Sequence, residues 1–359
     1  MELPRLALRC EGVEDSPGQV PYPSHQVKNA TPIPSTQTPQ PDLLHRLRAK
    51  ASVLTVLISQ CKVYAGTQDG DLIIWSLDTY DELARLRAHR GSVLSLWLFE
   101  DGQYLFSSGG DAMVNVWSTS TLERLYSIYS SYDVGDVFCV VFSSHLQTIY
   151  LGAQNTSIQW YDLSRRDARP APDWTSHPSN RSHRFFDSKD PSGRSTPRPQ
   201  SAEEARAGGG QELQIEKDHI VQFAHYGYVY CMLLMRGLNS SHRHDEVLIS
   251  GGGDGSIKLW SLNPDAEGAI SELKVMENGD ASVLTLALSD ALLYSGKLEG
   301  HFDVWDLETY QLVRRVRAYP EDILTIAVGH ELIFTGNCEG IMKVRNISRV
   351  FNVVSLISP

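Results

Sequence analysis

The feature that most constrains this chain is an internal repeat. Six segments stack on one another: VYAGTQDGDLIIWSL from Val63, LFSSGGDAMVNVWST from Leu105, IYLGAQNTSIQWYDL from Ile149, LISGGGDGSIKLWSL from Leu248, LYSGKLEGHFDVWDL from Leu293 and IFTGNCEGIMKVRNI from Ile333. Each reads as an apolar strand, a small-residue step, an acidic or amide turn and an alternating strand. Six residues beyond the turn residues Asp69, Asp111, Asn155, Asp254, Glu299 and Glu339 stand Trp75, Trp117, Tyr161, Trp260, Trp305 and Arg345. The aromatic register therefore holds five times and lapses at the last. The intervals between these positions are 42, 44, 99, 45 and 40 residues. All but the third fit a period of roughly 40–45 residues.

The long interval is explained by an insertion at residues 164–214. It contains Arg165-Arg166, Pro170, Pro172, the run SGRSTPRP from Ser192 and Gly208-Gly209-Gly210, with almost nothing apolar to bury. Such a composition predicts a disordered loop. Closing a loop of this length in place of a tight turn costs only about 2 kcal/mol of entropy, which a large sheet assembly tolerates. Proline marks the other non-core segment, because eight of the 17 prolines lie in residues 1–41 and six between Pro170 and Pro199. The expected organisation is a disordered Pro-rich start at 1–41, one repeat domain over 42–348 interrupted at 164–214, and an irregular tail at 349–359.

Within a repeat the signals are strand-like throughout, as in residues 92–98, 104–108, 113–117 and 123–128, separated by turns such as Asp101-Gly102 and Gly109-Gly110-Asp111. Four antiparallel strands per period predict one blade of an all-β propeller, with six recognisable blades. This resembles the WD40-repeat family. The resemblance implies a buried hydrogen-bonded set in each well-formed unit: a histidine before the first strand, a serine or threonine on the second, an acid in the next turn and the tryptophan of the third. Two units match at all four positions, His89, Ser107, Asp111 and Trp117, then His225, Ser250, Asp254 and Trp260. A hydrolytic Ser-His-Asp triad is the competing reading. It is disfavoured because the set recurs with a tryptophan at repeat spacing, no G-x-S-x-G elbow is present and the serine lies inside a strand. The other units depart from the pattern: the first has Ala65 with Lys50 near the histidine position, the third has Asn155 and Tyr161, and the fifth lacks the histidine. Those blades are expected to be softer.

Charge and composition exclude other classes. A net charge of -11 opposes binding to phosphate backbones or anionic lipid, so neither nucleic acid nor membrane is an expected partner. No apolar run approaches the roughly 20 residues of a membrane span, and the opening residues do not read as a secretory signal. A soluble, cytoplasmic protein is expected. Five scattered cysteines without a C-x-x-C pair predict free thiols buried as small hydrophobes, neither a disulfide framework nor a zinc ribbon. No cofactor or metal motif is found. The cluster Ser241-His242-Arg243-His244-Asp245-Glu246 reads as a solvated hairpin loop, and the run Gly251-Gly252-Gly253-Asp254-Gly255 as a blade turn, because a strand and not a helix follows it. Ser16, Thr31, Thr38 and Thr196 each precede proline and are weak phosphorylation candidates, while Asn155 and Asn239 head glycosylation sequons with nothing to route the chain to a glycosylating compartment.

Closure of the ring is left with two readings. Residues 45–50, 84–89 and 314–319 share one fourth-strand pattern, and the first of them precedes the first repeat. Either residues 43–48 supply the outer strand of the last blade, or a seventh repeat is missing. The loss of repeat wording after Val344 favours the second, as an artefact of gene reading or splicing, although residues 350–357 could pair as a surplus strand.

Local wording narrows the resemblance. The segment AHYGYVYCMLL from Ala224, the stretch from Gly251 to Trp260 and LETYQLV from Leu307 are similar to the WD-repeat half of the large subunit of the fungal glutathione-degrading complex. That resemblance implies a cytosolic assembly in which a propeller is joined to a zinc metallopeptidase-like domain and works with a glutaminase-type amidotransferase subunit. Nothing in this sequence matches the peptidase-like half, so no zinc ligand or catalytic acid is assigned. The expected function is a non-catalytic scaffold whose rim side chains, Arg90, Tyr226 and Tyr228, contact a protein partner. A general adaptor, such as a ubiquitin-ligase substrate receptor or signalling scaffold, is the alternative.

Overall fold

A computed structural model describes residues 45–347 except 60, 181–208, 237–245, 278, 280 and 330. The chain divides into Met1–Arg48, of which residues 45–48 are described and form no regular element, and Ala49–Pro359, which holds every strand. The sites at Ser16, Thr31, Thr38, Thr196 and Asn239, the loop residues 241–245 and the tail 349–359 lie outside the described residues.

Six sheets, antiparallel but for one added strand, form the blades of a β-propeller. Blade 1 comprises β1 (Val53–Ile58), β2 (Lys62–Thr67), β3 (Asp71–Ser76) and β4 (Glu82–Arg87), and blade 2 comprises β5 (Val93–Leu98), β6 (Tyr104–Gly109), β7 (Met113–Ser118) and β8 (Arg124–Ser130). Blade 3 holds β9 (Val137–Ser143), β10 (Thr148–Ala153) and β11 (Ile158–Asp162). Two strands then follow the insertion: β12 (Gln211–Ile215) pairs parallel with β8 as a fifth strand of blade 2, and the two-residue β13 (Ile220–Val221) completes blade 3 against β11. Blade 4 is β14 (Val229–Arg236), β15 (Glu246–Gly252), β16 (Ser256–Asn263) and β17 (Ala269–Glu277). Blade 5 is β18 (Val283–Ser289), β19 (Leu292–Lys297), β20 (His301–Asp306) and β21 (Gln311–Arg317), and blade 6 is β22 (Ile323–Gly329), β23 (Leu332–Asn337) and β24 (Met342–Asn346).

The insertion is more ordered at its ends than its composition predicts. Residues 163–180 contain three short 3-10 turns, and four of the five residues of β12 fall inside the span expected to be a loop. Local side chains explain this: Asp162 and Asp173 cap the first two turns, and Arg165, Arg169 and His219 converge on Glu267 in the β16–β17 hairpin. The thiols also depart from expectation. Cys139 is buried and Cys231 half-buried, but Cys61 and Cys338 are exposed. Burial pushes the Cys139 and Cys231 thiols well above their ordinary pKa, which disfavours the nucleophilic thiolate.

Burial follows position in the blade. The second and third strands of blades 1–3 are buried on both faces, as in β2, β3, β6, β7 and β10, whereas the outer β4 and β21 alternate between exposed and half-buried residues. The cause is stacking, because each blade covers the next. One apolar cluster joins Tyr64, Leu72 and Ile74 of blade 1 to Leu96, Leu105 and Trp117 of blade 2. Equivalent clusters join blades 2 and 3, 3 and 4, 4 and 5, and 5 and 6.

Among the described residues no such cluster joins blade 6 to blade 1. Phe302 and Val304 of blade 5 are fully buried against blade 6, yet their counterparts Met342 and Val344 are 49% and 53% exposed. Val56 of blade 1 is 40% exposed where its counterpart Leu96 is 8% exposed. The expected outer strand before the first repeat is not formed at residues 45–49, and the sixth sheet ends at three strands among the described residues.

A glycine on the second strand sets how closely blades approach. A Cβ on Gly251 would lie 2.5 Å from Val283 Cγ1 of the next blade, and Gly66 and Gly152 stand in the same relation to Val93 and Val229. The counterpart Gly336 meets only Thr325 of its own blade. Gly251→Ala is expected to lower stability by about 1–3 kcal/mol through overpacking, and Gly336→Ala by less. Thermal unfolding of the two variants checks the ranking, and equal losses would contradict the stacking account.

Candidate functional site

The two four-residue sets occupy one rim of the propeller, where the loop entering a first strand meets the turn between the second and third. In blade 2, Trp117 Nε1–H donates to Ser107 Oγ at 2.9 Å, Ser107 Oγ lies 2.8 Å from His89 Nε2, and His89 Nδ1 lies 2.9 Å from Asp111 Oδ1. Blade 4 repeats the chain: Trp260 Nε1–H to Ser250 Oγ at 2.9 Å, Ser250 Oγ to His225 Nε2 at 2.8 Å and His225 Nδ1 to Asp254 Oδ1 at 3.0 Å. The donors assign the protons. Each indole occupies a lone pair of the serine, the serine hydroxyl then donates to Nε2, and Nδ1–H donates to the carboxylate. The remaining carboxylate oxygen closes the loop by accepting the backbone N–H of Arg90 at 2.9 Å or of Tyr226 at 2.8 Å.

This order is that of a Ser-His-Asp triad, but its surroundings are not. Ser107 and Ser250 are fully buried beneath their blades, with the indole on the oxygen that would attack. Gly109 and Gly252 are required beside the imidazoles, because a Cβ on Gly252 would fall 2.3 Å from His225 Nδ1. The arrangement satisfies buried polar groups and ties a rim loop to its own blade. Burial alone would raise the pKa of Asp254, but hydrogen bonds from His225, the Tyr226 N–H and Ser256 outweigh it and hold the carboxyl well below the usual range.

Other blades keep the topology with different residues. In blade 6 the hydroxyl of Tyr319 stands where the histidine would be, 3.1 Å from Thr335 Oγ1, and Arg345 Nη1 donates to that oxygen at 3.2 Å in place of the indole. The lapse of the aromatic register is thus a change of donor. Its signal was Ala318-Tyr319, aligned with Ala88-His89. In blade 5, Trp305 Nε1–H still donates to Ser295 at 3.1 Å, and a buried charged group is built around Asp303, the ladder partner of Ser295: Lys297 Nζ lies 3.3 Å from Asp303, which Arg315 grips with two bonds of 2.8 and 3.0 Å. Burial pulls the Lys297 ammonium below its ordinary pKa while Asp303 opposes the shift. Pattern reading missed this group because its members come from three strands.

The three rim residues are not brought together. Arg90 is half-buried on blade 2, while Tyr226 and Tyr228 precede β14 on blade 4. Tyr226 is 90% exposed. Tyr228 stacks on Phe138 of blade 3 at 5.8 Å between centroids and meets Tyr230 edge-on at 5.8 Å. Among the described residues no group of three or more His, Cys, Asp or Glu side chains could hold a metal ion, and no helix is long and apolar enough to cross a membrane.

Ser250→Ala leaves the Trp260 N–H and His225 Nε2 without their buried partner, and is expected to cost about 1–3 kcal/mol in urea unfolding. The depressed Asp254 binds protons less readily folded than unfolded. Its contribution is therefore complete above its unfolded pKa near about 4 and is lost as the pH falls below that value. Asp254→Asn is expected to flatten the decline of Tm between about pH 5 and about pH 3. An unchanged slope would place acid sensitivity elsewhere.

Comparison with known proteins agrees with this geometry. The family described as WD domain, G-beta repeat matches residues 80–118 and 218–261, the spans that contain the two complete sets. The probable di- and tripeptidase DUG2 of Saccharomyces cerevisiae is 27% identical over 341 residues, covering 84% of this chain and 38% of that protein. Cilia- and flagella-associated protein 52 of Sus scrofa is 28% identical over 139 residues, 36% of this chain and 22% of the relative. The chain thus spans well under half the length of these relatives. Among solved structures, U3-55K superposes with a TM-score of 0.59 at 15% identity, covering 84% of this chain and 79% of its own. The designed Ika8 protein superposes with a TM-score of 0.52 at 20% identity, covering 83% and 72%. Fold, repeat match and the recurring Trp-Ser-His-Asp sets converge: the chain is a six-bladed β-propeller that carries WD40 repeats at residues 80–118 and 218–261.

Proposed function

We propose that this chain is a non-catalytic scaffold of a cytosolic glutathione-degrading assembly, and that it docks on a glutaminase-type amidotransferase subunit. The observation that carries the reading is the similarity to a di- and tripeptidase along 84% of the chain. Peptide hydrolysis needs a nucleophile or metal open to substrate. The polar groups best arranged for such work, His225, Ser250 and Asp254, are engaged in holding a blade together. What is left to act is the surface, with Arg90, Tyr226 and Tyr228 as anchors on the rim. In this reading the propeller of residues 42–348 is the working unit, and the arm 1–41, the insertion 164–214 and the tail 349–359 are appendages to it. A general adaptor is the second reading, supported by the partial similarity to a cilia- and flagella-associated protein.

Co-expression of the full chain with a glutaminase-type subunit, followed by size-exclusion chromatography, is expected to give a joint peak that Tyr226→Ala weakens at least tenfold in titration. Recovery of a cullin adaptor with the amidotransferase left behind would establish the adaptor reading instead. The purified chain alone is expected to show no peptide hydrolysis. Hydrolysis abolished by Ser250→Ala in a folded variant would overturn the scaffold reading.

A further inference from the structure

We infer that the rim bearing the acidic turns recognises a basic peptide segment carrying an aromatic or large aliphatic anchor, an inference that rests on the scaffold reading and adds the chemistry of the partner. The first strand of every blade slips by one residue near this rim. The register shifts between Val53 and Thr55, Val93 and Ser95, Val229 and Cys231, Val283 and Thr285, and Ile323 and Thr325, and in β9 between Val137 and Cys139. A bulge leaves its extra residue out of the ladder and re-aims the side chain. The six extra residues are Leu54, Leu94, Phe138, Tyr230, Leu284 and Leu324, all large and apolar or aromatic, and none of them is fully buried. First strands of successive blades pack against one another, so these side chains line the inner edge of the assembly at one end.

At blades 3 and 4 the bulge residues become an aromatic platform. Phe138 and Tyr230 lie 5.2 Å apart between centroids and Tyr228 stacks on Phe138, while Tyr226, two residues before Tyr228 in the same entry loop, is almost wholly in solvent. Around the same rim the exposed Asp69, Asp133, Glu299 and Glu339 and the half-buried Asp136 and Asp322 stand against Lys50, Arg87, Arg90, Lys217 and Arg317, with Arg87 already bonded to the Asp69 turn. An apolar, aromatic centre edged by carboxylates complements a cationic segment: the carboxylates attract Lys and Arg, the exposed Tyr226 ring stabilises them, and the bulge side chains receive the anchor. The rim already uses this chemistry internally, with Lys217 Nζ 5.8 Å above the ring of Tyr132.

Random twelve-residue peptides displayed on phage and selected on the full chain test this. The expected outcome is enrichment of sequences with net positive charge and at least one aromatic or leucine. The best synthetic peptide, followed by fluorescence anisotropy, is expected to bind at least tenfold more weakly to Phe138→Ala and to Tyr226→Ala and to weaken as salt rises. Tyr104→Ala and Tyr310→Ala, at the opposite end of the blades, are expected to leave it unchanged. Enrichment of neutral or acidic peptides, failure to enrich any, or binding indifferent to Phe138 and Tyr226 would overturn the inference. If the peptide result fails while Tyr226→Ala still breaks the amidotransferase complex, the scaffold reading stands without it. If the peptide binds as expected and that complex never forms, only the assigned partner is lost.

Discussion

Every property of this molecule depends on one blade burying the face of the next. A single twisted four-stranded sheet cannot cover either of its own surfaces, and here the second and third strands are apolar on both. Stacking resolves this. Tyr64 and Ile74 find Leu96 and Trp117, and the pattern recurs through Phe302 and Val304 meeting Ile326 and Ile333. The glycines at 66, 152 and 251 exist because a first-strand valine of the neighbour occupies the place a side chain would need. Between blades 6 and 1, where no apolar cluster joins the described residues, the same positions are half exposed and the glycine meets no described residue of another blade.

The hydrogen-bonded sets solve a second problem created by that stacking. Rim loops bring polar groups down beneath blade edges, where water does not follow, and each must find a partner. Blades 2 and 4 use a Trp-Ser-His-Asp relay, blade 6 uses Arg345, Thr335 and Tyr319, and blade 5 gathers Lys297, Asp303 and Arg315 around a carboxylate with no exposure at all. These are three chemical answers to one steric requirement. A blade lacking the histidine is therefore not simply a weaker copy of one that has it. The chemistry resembling a protease triad arises from the same requirement, since a serine between an indole and an imidazole is the shortest bridge available.

Much of this was legible in the chain itself. The blade count over the described repeats and the strands near 92–98, 104–108 and 113–117 follow from spacing, because a period of about 43 residues returns each residue type to the same place in a blade, while the membership of both relays was implied by the resemblance to WD40 repeats. The ends of the insertion were not legible. Their order depends on Glu267, about a hundred residues away in sequence, and on the parallel pairing of β12 with β8, neither of which leaves a local pattern. Composition reports how much apolar surface a segment carries, and says nothing of which distant edge it can join.

Sequence by itself determined the repeat and its strand order, since both are encoded by residues at fixed separations, and its resemblance to WD40 repeats implied the two Trp-Ser-His-Asp sets. Only the tertiary structure decided that Phe138 and Tyr230, from separate blades, form one platform with Tyr228. It alone decided that Arg90 belongs to another part of the rim, and that Tyr319 and Arg345 substitute for a histidine and a tryptophan. The physical reason is that a bulge is a matter of register between two strands, and a shared platform is a matter of the angle between two blades. Both are set by packing across the sheet stack and not by any run of neighbouring residues.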